Sequence, residues 1–282
     1  MRRGGCRRVR RRQRGLLRRR PRPDGRRAAR RRRGGCRPVT SGPPYDLVGD
    51  VHGCAGELDA LLTRLGWRWE GEGAAHPEGR VAVFVGDLVD RGPDTPGVLR
   101  RVMAMVEAGT ALCVQGNHEA KLLRALDGAK VQTRHGLQVS LDQLALESEG
   151  FRSRVRAFVA GLPWRLLLDD GRLVVTHAGL REDLHHSDSQ RARAFALYGD
   201  TTGETDEHGL PVRLPWQDDY RGAATVVHGH TPVARTRWVN GTLCLDTGAV
   251  FGGRLTALRY PEGEVVSVPA QRQWAVPGRP LA

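Results

Sequence analysis

The chain has few cysteines and no long apolar run, and each shortage excludes something. No stretch approaches the roughly 18 apolar residues of a membrane-spanning helix, so no membrane partner is expected. The five cysteines, Cys6, Cys36, Cys54, Cys113 and Cys244, include no C-x-x-C pair, the usual ligand spacing of a structural zinc site. Arginine pairs open the chain, but no apolar signal-peptide segment follows them. Scattered thiols in that setting are read as reduced, and the expected location is the cytoplasm. No G-x-x-x-x-G-K-[ST] phosphate loop occurs, and no internal repeat is visible.

Acidic residues are nearly missing from the first 40 positions. Residues 1–40 carry 19 of the 45 Lys+Arg and a single acid, Asp24, for a net +18. Residues 41–282 hold 26 basic and 30 acidic side chains, a net of −4. The overall charge of +14 therefore belongs to an arm and not to a basic domain. The arm is Arg, Gly and Pro with little apolar surface to offset chain entropy, so residues 1–42 are expected to form a disordered tail. It reads either as an electrostatic arm for polyanions or as translated upstream sequence, the second reading being favoured. A domain over 43–270 and a short C-terminal tail over 271–282 complete the expected organisation.

What is present after "SGPPY" is an alternation of short apolar runs and helical stretches. "YDLVG" (45–49), "VAVFVGD" (81–87) and "ALCVQG" (111–116) read as strands. Leu58, Leu61, Leu62 and Leu65 recur at helical spacing over 55–66, with Gly66 as a stop. Helices are also expected over 95–109 and 118–128, and through a helical middle at 137–162. Further strands are expected near 164–168, 172–176, 224–228, 242–246, 254–259 and 264–268. Residues 181–222 are polar with weak periodicity, an excursion that could shape a substrate cleft. The order predicts an α/β sandwich with mixed sheets.

Five of the apolar runs end alike. They deliver Asp50 and His52; Asp87, Asp90 and Arg91; Asn117, His118 and Glu119; His177; and His228 with His230, each beside glycine. Strand ends place side chains rigidly in a cleft, and glycine lets backbone turn and ions approach. A lone D-x-H is more often structural than functional, and so is a lone His177. Five such endings together are improbable by accident. Imidazole, carboxylate and amide donors suit borderline divalent ions such as Mn, Fe, Zn, Ni or Co. Several donors in one cleft permit two ions able to activate water and clamp a phosphoryl group.

The motifs GDVHG (49–53), GDLVDRG (86–92), GNHE (116–119), THAG (176–179) and GHTP (229–232) resemble those of metallophosphoesterases of the phosphoprotein-phosphatase type. The resemblance covers about 45–270. It implies an αββα sandwich and two divalent ions, with manganese foremost. It implies that Asp50, His52 and Asp87 hold the first ion, and that Asp87 bridges to a second held by Asn117, His177 and His230. His118 would protonate the leaving oxygen, Asp90 would orient it, and Arg91 and Asn117 would bind the phosphate. Attack would be in line, by metal-activated water, with no covalent enzyme intermediate. Glu119 is read as support for its turn, His228 as outside the ligand set, and His185 and His186 as solvated.

Stretches 86–126, 195–213 and 245–270 are similar to the phosphatase module of bacterial polynucleotide 5′-kinase/3′-phosphatase, which adds Asp246 as a supporting residue. A plain "DTG" turn is the equal alternative for Asp246. The leading expectation is a polynucleotide 3′-phosphatase acting on nucleic-acid 3′ ends or 2′,3′-cyclic phosphates. The missing phosphate loop removes the kinase half and weakens the repair role. Two alternatives stand beside it. One is a serine/threonine protein phosphatase or dinucleoside-polyphosphate hydrolase. The other is a nucleic-acid-binding protein with a vestigial metal site.

Overall fold

The computed structural model describes residues 42–278; the expected Arg-rich tail, Gly42 apart, lies outside the described residues. The strands of the first half are β1 (Tyr45–Val48), β2 (Arg68–Glu70), β3 (Gly73–Ala75), β4 (Val81–Phe84), β5 (Ala111–Cys113), β6 (Arg165–Leu168) and β7 (Leu173–Thr176). Those of the second half are β8 (Thr201–Thr205), β9 (Pro211–Arg213), β10 (Thr225–His228), β11 (Trp238–Val239), β12 (Thr242–Cys244), β13 (Arg254–Tyr260) and β14 (Glu264–Pro269). The helices are α1 (Ala55–Leu65), α2 (Thr95–Glu107), α3 (Asn117–Leu126), α4 (Leu137–Ala145), α5 (Glu149–Gly161) and α6 (Gln190–Tyr198).

Two five-stranded mixed sheets form the centre, in the orders β14-β13-β1-β4-β5 and β11-β12-β10-β7-β6. Alternate residues along each strand face opposite sides, and the packing follows that rule. Leu47 and Val83 meet Val175 and Val227 between the sheets. Their neighbours Val48 and Phe84 turn outward onto a helical layer that includes Leu58, Leu99, Leu122 and Val155. On the far side, Val174 and Val226 pack under Ala192 and Phe195 of α6 and under Trp216. The layers are helix, sheet, sheet, helix: the expected αββα sandwich.

Local chemistry sets the helix ends. Asp94 caps α2 by accepting from Gly97 N at 2.8 Å, and Ser148 caps α5 by accepting from Phe151 N at 3.2 Å. Gly66 ends α1 in the left-handed region, at φ 95°. The polar excursion contains more order than its sequence suggests, namely α6 and the β8–β9 hairpin. Residues 271–275 lie against the domain: Gln271 N donates to Glu57 at 2.9 Å, and Trp274 N and Ala275 N donate to Val250 O at 3.0 Å. Among the described residues no helix is long and apolar enough to cross a membrane.

Strand direction positions the site. β1, β4 and β5 are mutually parallel, as are β7, β10 and β12. The polar loops that leave these six strands converge where the two sheets meet.

Candidate active site

The loops are tied to one another by backbone. Val51 N and His52 N donate to Asp87 O at 3.1 and 2.8 Å, and Gly229 N donates to His177 O at 2.8 Å. Close approach explains two of the glycines. A Cβ at Gly229 would lie 1.8 Å from Asp50 Oδ1, and one at Gly116 would lie 2.3 Å from Asp87 Oδ1. The polar residues themselves bend the chain. His52, Asp87, Asp90, Arg91 and His230 all have positive φ, between 46° and 75°. Such backbone is uncommon outside glycine and clusters where function demands it.

Asn117, His177 and His230 form a tight knot. His177 Nε2 lies 2.9 Å from His230 Nδ1 and 2.8 Å from Asn117 Oδ1, and His230 Nδ1 lies 2.8 Å from Asn117 Oδ1. Asp87 Oδ2 is 3.3 Å from His177 Nε2. His177 Nδ1 meets Val85 O at 3.0 Å, so the neutral ring carries its proton there and turns a lone pair inward. A set of atoms that is almost all acceptors converges on one point, which fits a cation and little else. Asp87, His177 and His230 can bring one ligand atom each to a single ion, and so can Asp87, His52 and His118.

The expected first-ion set is placed less uniformly. His52 Nδ1 meets Val89 O at 2.8 Å, and its Nε2 lies 3.6 Å from Asp87 Oδ2. Asp50 sits beside this pair, outside the compact triad. Its Oδ2 accepts from His230 N at 2.9 Å, while its buried Oδ1 has no hydrogen-bond partner among the described residues. An orphaned, buried carboxylate oxygen calls for a cation. These residues therefore fit the divalent ions that the motifs imply, with Asp87 common to both sets. Nothing in the donor set singles out manganese among the borderline ions.

His118 stands at the N-terminal turn of α3 with Asp90 behind it, 2.5 Å from its Nδ1. Its other ring nitrogen faces the cleft and receives Arg91 Nη2 at 2.9 Å. Arg91 Nη1 reaches His52 Nε2 at 2.5 Å, and the guanidinium lies over the Phe251 ring.

Burial dominates the electrostatics. It pushes the Asp50 carboxyl well above its usual range, helped by the charges of Asp246 and Asp87. Burial works on Asp87 in the same direction, but His177, His118 and His52 outweigh it and hold that carboxyl well below its usual range. Burial lowers His52 and His230 strongly, assisted by Arg91 and His177 respectively. Both rings are thus neutral, the form that can ligate a metal.

Asp246 is at once a turn residue and a wall of the site. Its Oδ1 accepts from Gly248 N at 3.0 Å, it lines the cleft, and burial raises its carboxyl to about 6. Glu119 supports its turn as expected. His228 lies behind the site, its ring 5.4 Å from that of Trp216. His186 is exposed, but the expectation that His185 is solvated is corrected: His185 is buried and its Nε2 meets Leu180 O at 3.2 Å. The burying partner is Tyr220, 35 residues away in sequence, which local polarity could not reveal.

The site opens into a cleft of about 650 Å³. Besides the motif residues, Lys121, His135, Tyr198, Arg213, Phe251 and Trp274 line it. Of these, only Lys121 carried a sequence signal, lying one helical turn beyond Asn117 on the same face. His135, Phe251 and Trp274 come from loops, and Tyr198 and Arg213 from the last residues of α6 and β9, all in stretches without a marked periodic pattern.

Comparison with known proteins matches residues 43–257 to the calcineurin-like phosphoesterase family model. Among curated proteins, the bis(5′-nucleosyl)-tetraphosphatase PrpE [asymmetrical] of Anoxybacillus flavithermus is 46% identical over 80% of this chain and 94% of its own length. The protein of the same name from Halalkalibacterium halodurans is 47% identical over 81% and 94%. A crystal structure provisionally described as a diadenosine tetraphosphatase superposes with a TM-score of 0.60 at 29% identity, covering 83% of this chain and 96% of that one. These relatives correct the narrower expectation. The polynucleotide kinase/phosphatase resemblance, the role in RNA repair and the nucleic-acid 3′ ends are not supported. The motifs encode water activation and phosphate binding, which many substrates share, and the loops that select a substrate lie elsewhere. Motif order, donor geometry and homology agree at the level of the reaction: the chain belongs to the calcineurin-like phosphoesterase family and is a metallophosphoesterase.

Proposed function

We propose that this chain hydrolyses bis(5′-nucleosyl) tetraphosphates asymmetrically, releasing a nucleoside triphosphate and a nucleoside monophosphate. The observation that carries the reading is the identity of 43–47% to curated tetraphosphatases, each spanned over 94% of its length. The cleft agrees with it. A polar floor is rimmed by exposed apolar side chains, Val139, Tyr198 and Val276, as suits a ligand with a charged centre and flat apolar ends.

In this reading Asp50, His52 and Asp87 would hold one divalent ion, and Asp87, Asn117, His177 and His230 a second. When bound, the ions would supply Lewis acidity and activate water. Arg91 and Asn117 grip the scissile phosphate, Arg91 as a planar fork. With Arg91 turned from His118 onto the phosphate, the cleft-facing nitrogen of His118 is free to carry a proton and to pass it to the departing polyphosphate oxygen. Asp90 fixes the tautomer and stabilises the imidazolium before transfer. Asp246 holds the wall next to Asp50.

The test is a product analysis. The metal-loaded protein is offered diadenosine tetraphosphate, a 3′-phosphate oligonucleotide and a phosphoserine peptide, and nucleotides are separated by anion exchange. ATP and AMP in equal amounts are expected, with the other two cleaved far more slowly. Two ADP per substrate, or preference for the oligonucleotide or peptide, overturns the reading.

A further inference from the structure

The scissile phosphate is one of four, and the mechanism above leaves the remaining charge of the leaving triphosphate without a partner. The cleft contains a place for it. Residues 134–136 lie directly on Arg91: a Cβ at Gly136 would be 2.4 Å from Arg91 N. This brings His135 beside Lys121 on the wall next to Arg91 and His118, and both side chains line the cleft. Lys121 Nζ donates to Arg134 O at 2.8 Å, which holds the ammonium in place and leaves two of its three hydrogens for a ligand. Among the described residues, the acids that line the cleft are Asp87, on the floor, and Asp246, on the wall beside Asp50. Asp90, the acid nearest this wall, is buried and engaged with His118. The wall is therefore a patch of positive charge, and the His135 ring feels it: burial first, then Arg91, Lys121, His118 and Arg134, lower its proton affinity.

We propose that Lys121 and His135 form a polyphosphate ledge, which binds the phosphates beyond the scissile one and selects polyphosphate substrates over simple phosphoesters. The inference rests on the tetraphosphatase reading. It gives the substrate a direction: the leaving nucleoside triphosphate runs from the floor past Arg91 along the start of α3, and the nucleoside monophosphate faces the other wall.

Kinetics of Lys121→Met, Lys121→Arg and His135→Asn on diadenosine tetraphosphate and on p-nitrophenyl phosphate test the ledge. Asn tolerates the left-handed backbone at residue 135, where φ is 63°. For Lys121→Met the ratio of kcat/KM on the tetraphosphate to that on the ester should fall about tenfold or more, mainly through KM, as loss of a charge-assisted contact predicts. His135→Asn should lower it less, and Lys121→Arg should restore most of it. Equal loss on both substrates means damage to the site and overturns the ledge, as does an unchanged ratio. If the wild-type protein cleaves the ester but leaves the tetraphosphate intact, the tetraphosphatase reading itself fails, and the ledge with it.

Discussion

The Glu119 carboxylate receives the backbone N–H of Asp87 at 2.7 Å. It also accepts from Leu88 N, Val89 N and Gly116 N, at 2.7, 3.3 and 2.9 Å. One fully buried side chain thus fixes the loop that carries Asp87, Asp90 and Arg91 against the loop that carries Asn117 and His118. Glu119→Gln keeps the shape but turns an amide group toward N–H donors. We expect a loss of roughly 2–4 kcal/mol in stability, and a drop in kcat larger than the drop in folded protein. Urea unfolding beside single-substrate kinetics checks both; unchanged stability would mean that the four bonds are dispensable.

The arrangement of Asp90 and His118 predicts a dependence on the leaving group. His118→Asn should lower kcat on phenyl phosphate, whose leaving phenolate is strongly basic, by about 10²–10⁴. The loss on p-nitrophenyl phosphate should be much smaller, because nitrophenolate departs without a proton. Asp90→Asn should follow the same pattern more weakly. Parallel losses on both substrates would remove His118 as proton donor.

Because Asp87 belongs to both candidate ligand sets, its replacement should cost both ions. Metal analysis of chelator-stripped and reloaded protein should give two divalent ions per wild-type chain and close to none for Asp87→Asn. Asn117→Ala should retain one. Reloading at a hundred times the dissociation constant should raise unfolding stability by about 2.7 kcal/mol. One ion retained by Asp87→Asn would exclude a bridging role.

His228 sets a pH dependence apart from catalysis. Burial lowers its imidazole to about 4, against roughly 6.5 in the unfolded chain. The unfolded state therefore binds this proton first as pH falls. The contribution of His228 to stability is intact above about 6.5 and is lost progressively down to about 4, by about 3 kcal/mol in all. Stability curves of wild type and His228→Phe should converge or cross as the pH falls through that window. A constant difference between pH 7 and 4 would show that His228 does not titrate there.

The sequence disclosed the chemistry better than the substrate. Strand-end motifs are visible because apolar runs, glycines and polar tips lie within a few residues of one another. The β2–β3 and β8–β9 hairpins are short and largely exposed, so they lack the alternation that marks a buried strand. The Glu119 bonds join loops about 30 residues apart, and the Lys121–His135 wall depends on a loop settling onto Arg91. Neither leaves a local pattern. The expectation of polynucleotide ends fails for the same reason: likeness along 86–126, 195–213 and 245–270 does not specify how the loops meet to shape the cleft.

The five left-handed residues of the site bear on the gene's history. Each of His52, Asp87, Asp90, Arg91 and His230 holds a backbone that glycine would adopt with less strain, at a cost of the order of 1 kcal/mol per position. Drift constrained only by foldability would therefore erode these side chains early, and many of the losses would make the protein more stable. A chain that has merely inherited this fold should show glycine or asparagine there. Here the sequence reads His, Asp, Asp, Arg and His, so the strain is carried at positions whose side chains the proposed chemistry uses.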